Sequence, residues 1–124
     1  MEKKRILLVD DEPAFTRLMK LNLENNGAYE VRVENDGRKA VAAARSWRPH
    51  LIFLDVIMPD VDGGQVAAEL RAERGLAQTP IVFLTAVVSK NEVVERGDVI
   101  GGQQFLAKPV TVADMVSTIE RLAA

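Results

Sequence analysis

Five side chains that could take part in phosphate or metal chemistry each lie at the end of a short apolar run. Asp10 and Asp11 follow "RILLV", Asp55 follows "LIFL", Thr85 ends "IVFLT" and Lys108 follows "QFLA". Carboxylate oxygens suit a small hard cation, so Mg²⁺ is the expected cofactor and Mn²⁺ a substitute. A carboxylate beside such a cation can attack phosphorus while the cation and an ammonium neutralise charge on the transferred group. The set therefore predicts an aspartyl-phosphate site with Asp55 as the nucleophile.

The three consecutive acids at residues 10–12 repel one another unless something offsets their charge. The repulsion is roughly 1 kcal/mol per pair at 4 Å in water and about 4 kcal/mol near a protein surface. Taken alone, Asp10 and Asp11 fit a structural role, in a strand-end turn or a helix cap, as well as they fit a cation site. Beside Asp55 they favour a cation site, while Glu12 and Pro13 are expected to begin a helix.

Hydrophobic periodicity predicts five strands that would carry these residues. Three of the runs are continuously apolar, as strands covered on both faces must be, whereas "YEVRVE" alternates and predicts an edge strand. The predicted strands are 5–9, 29–34, 51–54, 81–84 and 104–107.

Segments of helical period separate the strands. The predicted helices are 13–26, 37–47, 64–73, a short one within 89–98, and a last one that begins at Thr111. Asn26-Gly27 is a stop signal, and Asp36 and Asp62 are placed to cap the second and third helices. Thr111 and Asp114 resemble a capping box. The first helix is expected to bury Phe15, Leu18, Met19 and Leu23, and the last to bury Val112, Met115, Val116, Ile119 and Leu122.

Alternating strands and helices predict an α/β fold, a doubly wound parallel sheet with helices on both faces. Residues 1–124 are expected to form a single domain. The chain has no cysteine and no apolar stretch long enough to span a membrane, which predicts a cytoplasmic protein that makes no membrane contact. Its net charge of −2 disfavours direct contact with nucleic acid.

Four motifs in order, "LLVDDEP", "PHLIFLDVIMPDVDG", "PIVFLTA" and "FLAKP", resemble those of receiver domains of bacterial two-component response regulators. The resemblance covers essentially the whole chain. It implies a flavodoxin-like (βα)5 fold with strand order 2-1-3-4-5. It also implies two-component signal transduction, a regulatory domain that catalyses only its own phosphorylation and dephosphorylation.

The resemblance also implies a role for each site residue. Asp55 would accept a phosphoryl group from a sensor histidine kinase or a phosphotransfer protein. Asp10, Asp11, Asp55 and the main-chain carbonyl of Ile57 would hold Mg²⁺, and Lys108 would pair with the phosphorylated group.

The remaining implied roles concern switching. Thr85 would hydrogen-bond the phosphoryl group, Phe105 would be the switch aromatic, and the Lys108–Pro109 peptide would be cis. The output surface would lie around the predicted fourth helix, the fifth strand and the last helix. It would act on an output domain or partner protein, and a phosphorylation-dependent homodimer is compatible with this scheme.

Ile57 and Val87 are apolar at positions where many receivers carry polar residues. Because neither side chain can orient a water molecule, we expect slow self-dephosphorylation. The chain ends with its last helix, so no output domain is expected within it. A stand-alone regulator and the receiver of a longer protein both remain open.

Three other functions compete with the receiver interpretation. A nucleotide- or flavin-binding module would need a phosphate loop after the first strand, where "DDEP" would repel phosphate. A phosphatase with an aspartate nucleophile would usually show Asp-x-Asp there. A degenerate receiver that only docks is disfavoured by the full set of acids, hydroxyl and lysine.

Overall fold

The computed structural model describes residues 2–86, 99–100 and 103–123. These residues contain strands β1–β8, helices α1–α4 and one 3₁₀ turn at Gly37–Lys39. The strands are β1 (Lys4–Val9), β2 (Tyr29–Glu34), β3 (Leu51–Asp55), β4 (Ile57–Met58), β5 (Val61–Asp62), β6 (Ile81–Thr85), β7 (Val99–Ile100) and β8 (Gln103–Ala107). The helices are α1 (Pro13–Asn25), α2 (Ala40–Trp47), α3 (Gly63–Ala72) and α4 (Val112–Leu122).

The main sheet has the order β2-β1-β3-β6-β8-β7. Its first five strands are parallel and occur in the predicted order, which confirms the flavodoxin-like arrangement. Two features were not predicted: β7 adds an antiparallel strand beside β8, and β4 pairs with β5 in a small separate ladder. Each of the strands β4, β5 and β7 is only two residues long, which is too short to show a periodic hydrophobic pattern in the sequence.

Two apolar layers cover opposite faces of the sheet, as a doubly wound fold requires. Along β1, Ile6 and Leu8 pack with α1 and α4, whereas Leu7 and Val9 pack with α2 and α3. Successive strand residues point to opposite faces, so a strand with a helix layer on each side must be apolar throughout. This explains why β1, β3 and β6 are continuous hydrophobic runs.

Strand β2 lies at the edge of the sheet, as its alternating sequence predicted. Two side chains of α1 bind the backbone of Val31. Lys20 Nζ donates to the Val31 carbonyl at 2.7 Å, and the Val31 N–H donates to Glu24 Oε2 at 3.0 Å. Lys20 and Glu24 also form an ion pair at 3.6 Å. One helix thus satisfies both backbone groups of this edge residue.

The predicted capping groups are present at the starts of α3 and α4, whereas Asp36 caps the 3₁₀ turn before α2 and α2 itself has no side-chain cap. The Asp36 carboxylate accepts from the backbone of Arg38 at 3.0 Å, and that of Asp62 accepts from Gly64 at 2.9 Å. Thr111 and Asp114 form a full capping box. The segment predicted as a helix from residue 37 begins instead with the 3₁₀ turn, and α2 proper begins at Ala40.

The prediction that Leu18 lies on the buried face of α1 is wrong. Thr16, Met19 and Leu23 form that face, and the side chain of Leu18 is 52% exposed. Adjacent helical residues are rotated by about 100°, so burying Met19 turns Leu18 away from the core. In α4 the predicted stripe is confirmed, with Met115 and Ile119 fully buried.

No helix in the described part of the chain is long and apolar enough to cross a bilayer. The helix predicted within 89–98 and the position Val87 lie outside the described residues.

Candidate functional site

The carboxyl ends of the central strands bring the predicted site residues to one edge of the sheet. Asp10 follows β1 directly, Asp55 is the last residue of β3, and Thr85 is the last residue of β6. Lys108 follows β8, and its N–H donates to the carbonyl of Thr85 at 2.9 Å. Because β1, β3, β6 and β8 are parallel, these ends are adjacent at the same edge.

Asp10, Asp11 and Asp55 form a cluster in which one carboxylate oxygen of each lies within 4.8 Å of the others. Asp10 and Asp55 are buried, and Asp11 is half-buried. Asp10 Oδ1 accepts from the backbone of Glu12 at 3.0 Å, and Asp55 Oδ1 accepts from that of Ile57 at 3.3 Å. The first and third strands therefore deliver three acids to one point, as the sequence predicted.

The ammonium of Lys108 lies beside two of these acids and beside Glu12. Its Nζ is 3.0 Å from Asp10 Oδ2, 3.6 Å from Asp55 Oδ2 and 3.8 Å from Glu12 Oε1. The Lys108–Pro109 peptide bond is cis, as expected. The lysine thus supplies positive charge on the side of the cluster that faces β8.

Burial and mutual repulsion perturb the carboxyl groups. Burial, and after it the charge of Asp10, raises the pKa of Asp55 from 3.8 to about 6, against the opposing charge of Lys108. Burial likewise raises the pKa of Asp10, although contacts with Lys108 and the Glu12 backbone counteract it. For Lys108, burial lowers the pKa, but Asp10, Asp55 and Glu12 outweigh it and the net shift is upward. The site therefore holds more negative charge than one ammonium can neutralise.

The donor set fits a hard divalent cation. Asp10 Oδ2 is buried and, among the described residues, makes no hydrogen bond of favourable geometry, although the Lys108 ammonium is close by. Buried polar atoms without such a bond are uncommon, and a buried carboxylate that clusters with two others is a natural ligand for Mg²⁺. Residues Asp10, Asp11 and Asp55 could hold the ion.

Phe105 and Thr85 occupy neighbouring strands beside the acids. Thr85 is buried, and its register partner on β8 is Ala107. Phe105 is half-buried, with its ring centroid 5.3 Å from that of Phe83. The predicted switch pair therefore lies two residues apart in register on adjacent strands.

Two neighbours of Lys108 were not predicted to be part of the site. Glu12 was expected only to begin α1, yet its carboxylate is within 3.8 Å of the ammonium. The ring of Phe15 lies 5.6 Å from the same nitrogen, within range of a cation–π interaction. Their closeness depends on how α1 leaves the sheet, for which the sequence carries no signal beyond the position of Pro13.

Residues 6–120 match the sequence pattern of the response regulator receiver domain. This chain belongs to that family. The receiver domain is 37% identical over 118 residues to the DNA-binding dual master transcriptional regulator RpaA of Synechocystis, covering 95% of this chain and 48% of that protein. It is 34% identical over 121 residues to the alkaline phosphatase synthesis transcriptional regulatory protein PhoP of Bacillus subtilis, covering 96% and 48%. The chain thus spans about half the length of these curated relatives.

Solved structures with the same fold include two instructive receivers. Chemotaxis protein CheY4 of Vibrio cholerae superposes with a TM-score of 0.82 at 30% identity, over 98% of this chain and 99% of that one. The receiver domain of sensor histidine kinase PA1611 of Pseudomonas aeruginosa superposes with a TM-score of 0.81 at 29% identity, over 98% of both chains. In that structure a magnesium ion is coordinated in the active-site cleft. The chain is accordingly a receiver domain of the two-component response regulators.

Proposed function

We propose that Asp55 accepts a phosphoryl group from a phosphohistidine of a sensor kinase or phosphotransfer protein. In this step a carboxylate oxygen of Asp55 attacks phosphorus, the phosphorus–nitrogen bond breaks, and the electron pair leaves with the imidazole nitrogen, which takes up a proton. The observation that carries the proposal is the cluster of the Asp10, Asp11 and Asp55 carboxylates beside one ammonium, with Lys108 Nζ 3.6 Å from Asp55 Oδ2. The domain would promote its own phosphorylation and dephosphorylation and act on no other substrate.

Asp10, Asp11, Asp55 and the main-chain carbonyl of Ile57 would hold Mg²⁺, or Mn²⁺ in its place. The bound ion would neutralise charge on the phosphoryl oxygens. Lys108 would exchange its contact with Asp55 for one with the phosphoryl group. Burial lowers its pKa, but the neighbouring acids outweigh burial and raise the pKa on balance, so Lys108 stays cationic at neutral pH, which this role requires.

Switching would follow from the added charge. A phosphoryl group brings about −1.5 to −2 charges and three acceptor oxygens, and the hydroxyl of Thr85 would donate to one of them. A hydrogen bond to a charged group is worth about 1.5–3 kcal/mol, enough to shift a two-state equilibrium substantially. Phe105 would then rotate inward and change the surface formed by β8, α4 and the helix predicted within 89–98.

Intact-mass analysis after treatment with acetyl phosphate and Mg²⁺ tests the chemistry. The wild-type domain should gain the mass of one phosphoryl group, and Asp55→Asn should gain none. Asp60→Asn is the matched control, because Asp60 is an exposed aspartate in the same loop region and its positive φ of 63° suits asparagine. A domain that forms no adduct with any small donor or kinase would instead be a docking module.

The switching step has its own measurement. Beryllofluoride with Mg²⁺ should shift the NMR signals around Phe105 and residues 87–100. Unchanged signals there, in a protein that binds the mimic, would contradict the coupling.

The proposed partners are a histidine phosphodonor upstream and an output domain or separate protein downstream. The relatives RpaA and PhoP are named as transcriptional regulators and are about twice as long. We propose that the switched surface acts on such an output, through a homodimer where one forms, and that this domain itself makes no contact with nucleic acid. The proposal keeps the cytoplasmic location expected from the sequence.

A further inference from the structure

Asn35, which directly follows β2, holds the acidic turn from outside the acid cluster. Its side-chain Nδ2 donates to the main-chain carbonyl of Asp10 at 2.7 Å and to the hydroxyl of Thr16 at 3.0 Å. We propose that Asn35 is a positioning residue that sets the direction of the Asp11 carboxylate for cation binding. This inference rests on the proposed function, because it concerns the same cation site.

The Asp10 carbonyl belongs to the peptide group that joins Asp10 to Asp11. On its N-terminal side, Asp10 is fixed to the sheet because its N–H donates to Glu34 O at 3.1 Å. On the far side of Asp11, the Glu12 N–H donates to Asp10 Oδ1 at 3.0 Å. Between these two anchors the Asp10–Asp11 peptide plane can tilt, and the hydrogen bond from Asn35 to its carbonyl restrains that tilt.

Thr16 extends the connection into α1. It is 1% exposed, and its hydroxyl lies 3.3 Å from Glu12 O and 3.2 Å from Pro13 O, either of which can accept from it. The hydroxyl that receives the Asn35 hydrogen bond is therefore itself anchored in the first turn of the helix. Asn35 links the end of β1 to the start of α1, the two elements between which Asp11 lies.

Asn35 and Asp11 also line the same cleft of about 330 Å³, together with Asp36 and Asp60. An extra carboxylate in this cleft would attract a cation if charge alone mattered. A positioning role predicts the reverse, because a carboxylate at position 35 cannot donate and would repel the Asp10 carbonyl. Asn35→Asp therefore separates the two explanations, and Asn35→Ala removes the donor without adding charge.

Calorimetric titration with MgCl₂ is the test. Partners that orient metal ligands typically contribute 10–100-fold to metal affinity, so Asn35→Ala and Asn35→Asp should each bind Mg²⁺ about tenfold more weakly than wild type. Thr16→Val, which keeps the volume but loses the hydroxyl, should weaken binding in the same direction. Asn25→Asp, an exposed asparagine at the far end of α1, is the charge-matched control and should leave affinity unchanged.

A second measurement needs no metal. In the metal-free protein the Asp11 amide signal should move, and its hydrogen exchange should quicken, in both Asn35 variants and not in Asn25→Asp.

The titration distinguishes the outcomes. The inference is overturned if Asn35→Asp binds Mg²⁺ as tightly as wild type or more tightly. If wild type itself shows no saturable Mg²⁺ binding, the proposed function fails and the inference fails with it. If Asp11→Asn loses Mg²⁺ binding but the Asn35 variants bind as wild type does, only the inference fails and the proposed function stands.

Discussion

The ammonium of Lys108 lies 3.0 Å from Oδ2 of Asp10, nearer than it lies to the proposed phospho-acceptor. Asp10 is fully buried, so in the metal-free domain this contact is the main compensation for its charge. Lys108 and a bound divalent cation would thus both neutralise the Asp10 carboxylate. Removing the lysine should make the stability of the domain depend more strongly on the cation.

Lys108→Met should lower the stability of the metal-free domain by about 3 kcal/mol, because it leaves two buried carboxylates without a counter-charge. Mg²⁺ should then raise the melting temperature of the variant by more than it raises that of wild type. Thermal unfolding with and without MgCl₂ measures both effects. Lys3→Met, at an exposed lysine, is the control and should behave as wild type. An equal Mg²⁺ response in Lys108→Met and wild type would contradict the prediction.

Asp11→Asn should abolish the stabilisation by Mg²⁺. An ion present at 100 times its dissociation constant stabilises a domain by about 2.7 kcal/mol, which corresponds to roughly ten degrees in melting temperature at this chain length. Without metal the variant should be as stable as wild type or more so, since one member of the repelling cluster is neutral. Thermal melts over a range of Mg²⁺ concentrations check this, with Glu30→Gln, at an exposed glutamate of β2, as the control that retains the response.

The strands and their order could be predicted because each signal is local and strong. The apolar runs within β1, β3 and β6 are continuous. The polar residue that comes directly after each run in the sequence must therefore lie at the carboxyl end of that strand. Parallel strands then place Asp10, Asp55 and Thr85 at one edge of the sheet, so this part of the site follows from sequence patterns alone.

The parts that could not be predicted depend on tertiary geometry. Apolar spacing placed Leu18 on the buried face of α1, and its exposure follows from the rotation of that helix about its axis, which spacing alone does not determine. The contacts of Glu12 and Phe15 with Lys108 join residues almost a hundred positions apart and depend on the docking of that helix. Asn35 directly follows β2, but its bond to the Asp10 carbonyl involves a backbone atom that no sequence pattern marks.

Ile57→Asn should shorten the lifetime of the phosphorylated domain by several-fold. The Ile57 side chain is 64% exposed two residues beyond Asp55, and an amide there can hydrogen-bond a water molecule where isoleucine cannot. Loss of the phosphoryl adduct is followed by intact mass after removal of the donor. Leu21→Asn, at a leucine 58% exposed on α1, controls for replacing a surface apolar side chain. Equal lifetimes for Ile57→Asn and wild type would count against the predicted slow hydrolysis.

Gly63→Ala should destabilise the domain by about 1–3 kcal/mol, whereas Gly64→Ala should not. A Cβ at Gly63 would lie 2.6 Å from the backbone oxygen of Asp55 and 2.7 Å from Val56 Cα, and backbone cannot move aside cheaply. At Gly64 the nearest atom is a side-chain oxygen of Asp62 at 3.4 Å, an ordinary contact. Urea unfolding of the two variants compares adjacent positions of the same helix. Similar stabilities for both variants would contradict the prediction, because they would show that the backbone at Asp55 and Val56 can shift at little cost in free energy.

His50→Asn should make stability less sensitive to mild acid. Partial desolvation of the exposed His50 ring, with the charges of Arg5 and Lys4, lowers the pKa of His50, and its Nδ1 accepts from the Arg5 backbone at 2.9 Å. Below pH 6.5 the unfolded chain therefore takes up a proton that the folded domain resists, so this histidine makes stability fall as pH falls. Asparagine can accept the same hydrogen bond without titrating. Urea unfolding at pH 7.5 and pH 5.5 should show a smaller loss for the variant, and an equal loss would contradict the assignment.

The contacts of Lys20 and Glu24 with Val31 have a consequence for self-association. An unpaired N–H and C=O on an edge strand are a template onto which another chain can add a strand, a route to aggregation. At Val31 both groups are already engaged by side chains of the same chain, and a positive and a negative charge stand beside them. Extension of the sheet past β2 would require breaking these bonds and burying both charges, so the molecule is protected against strand addition at the centre of this edge.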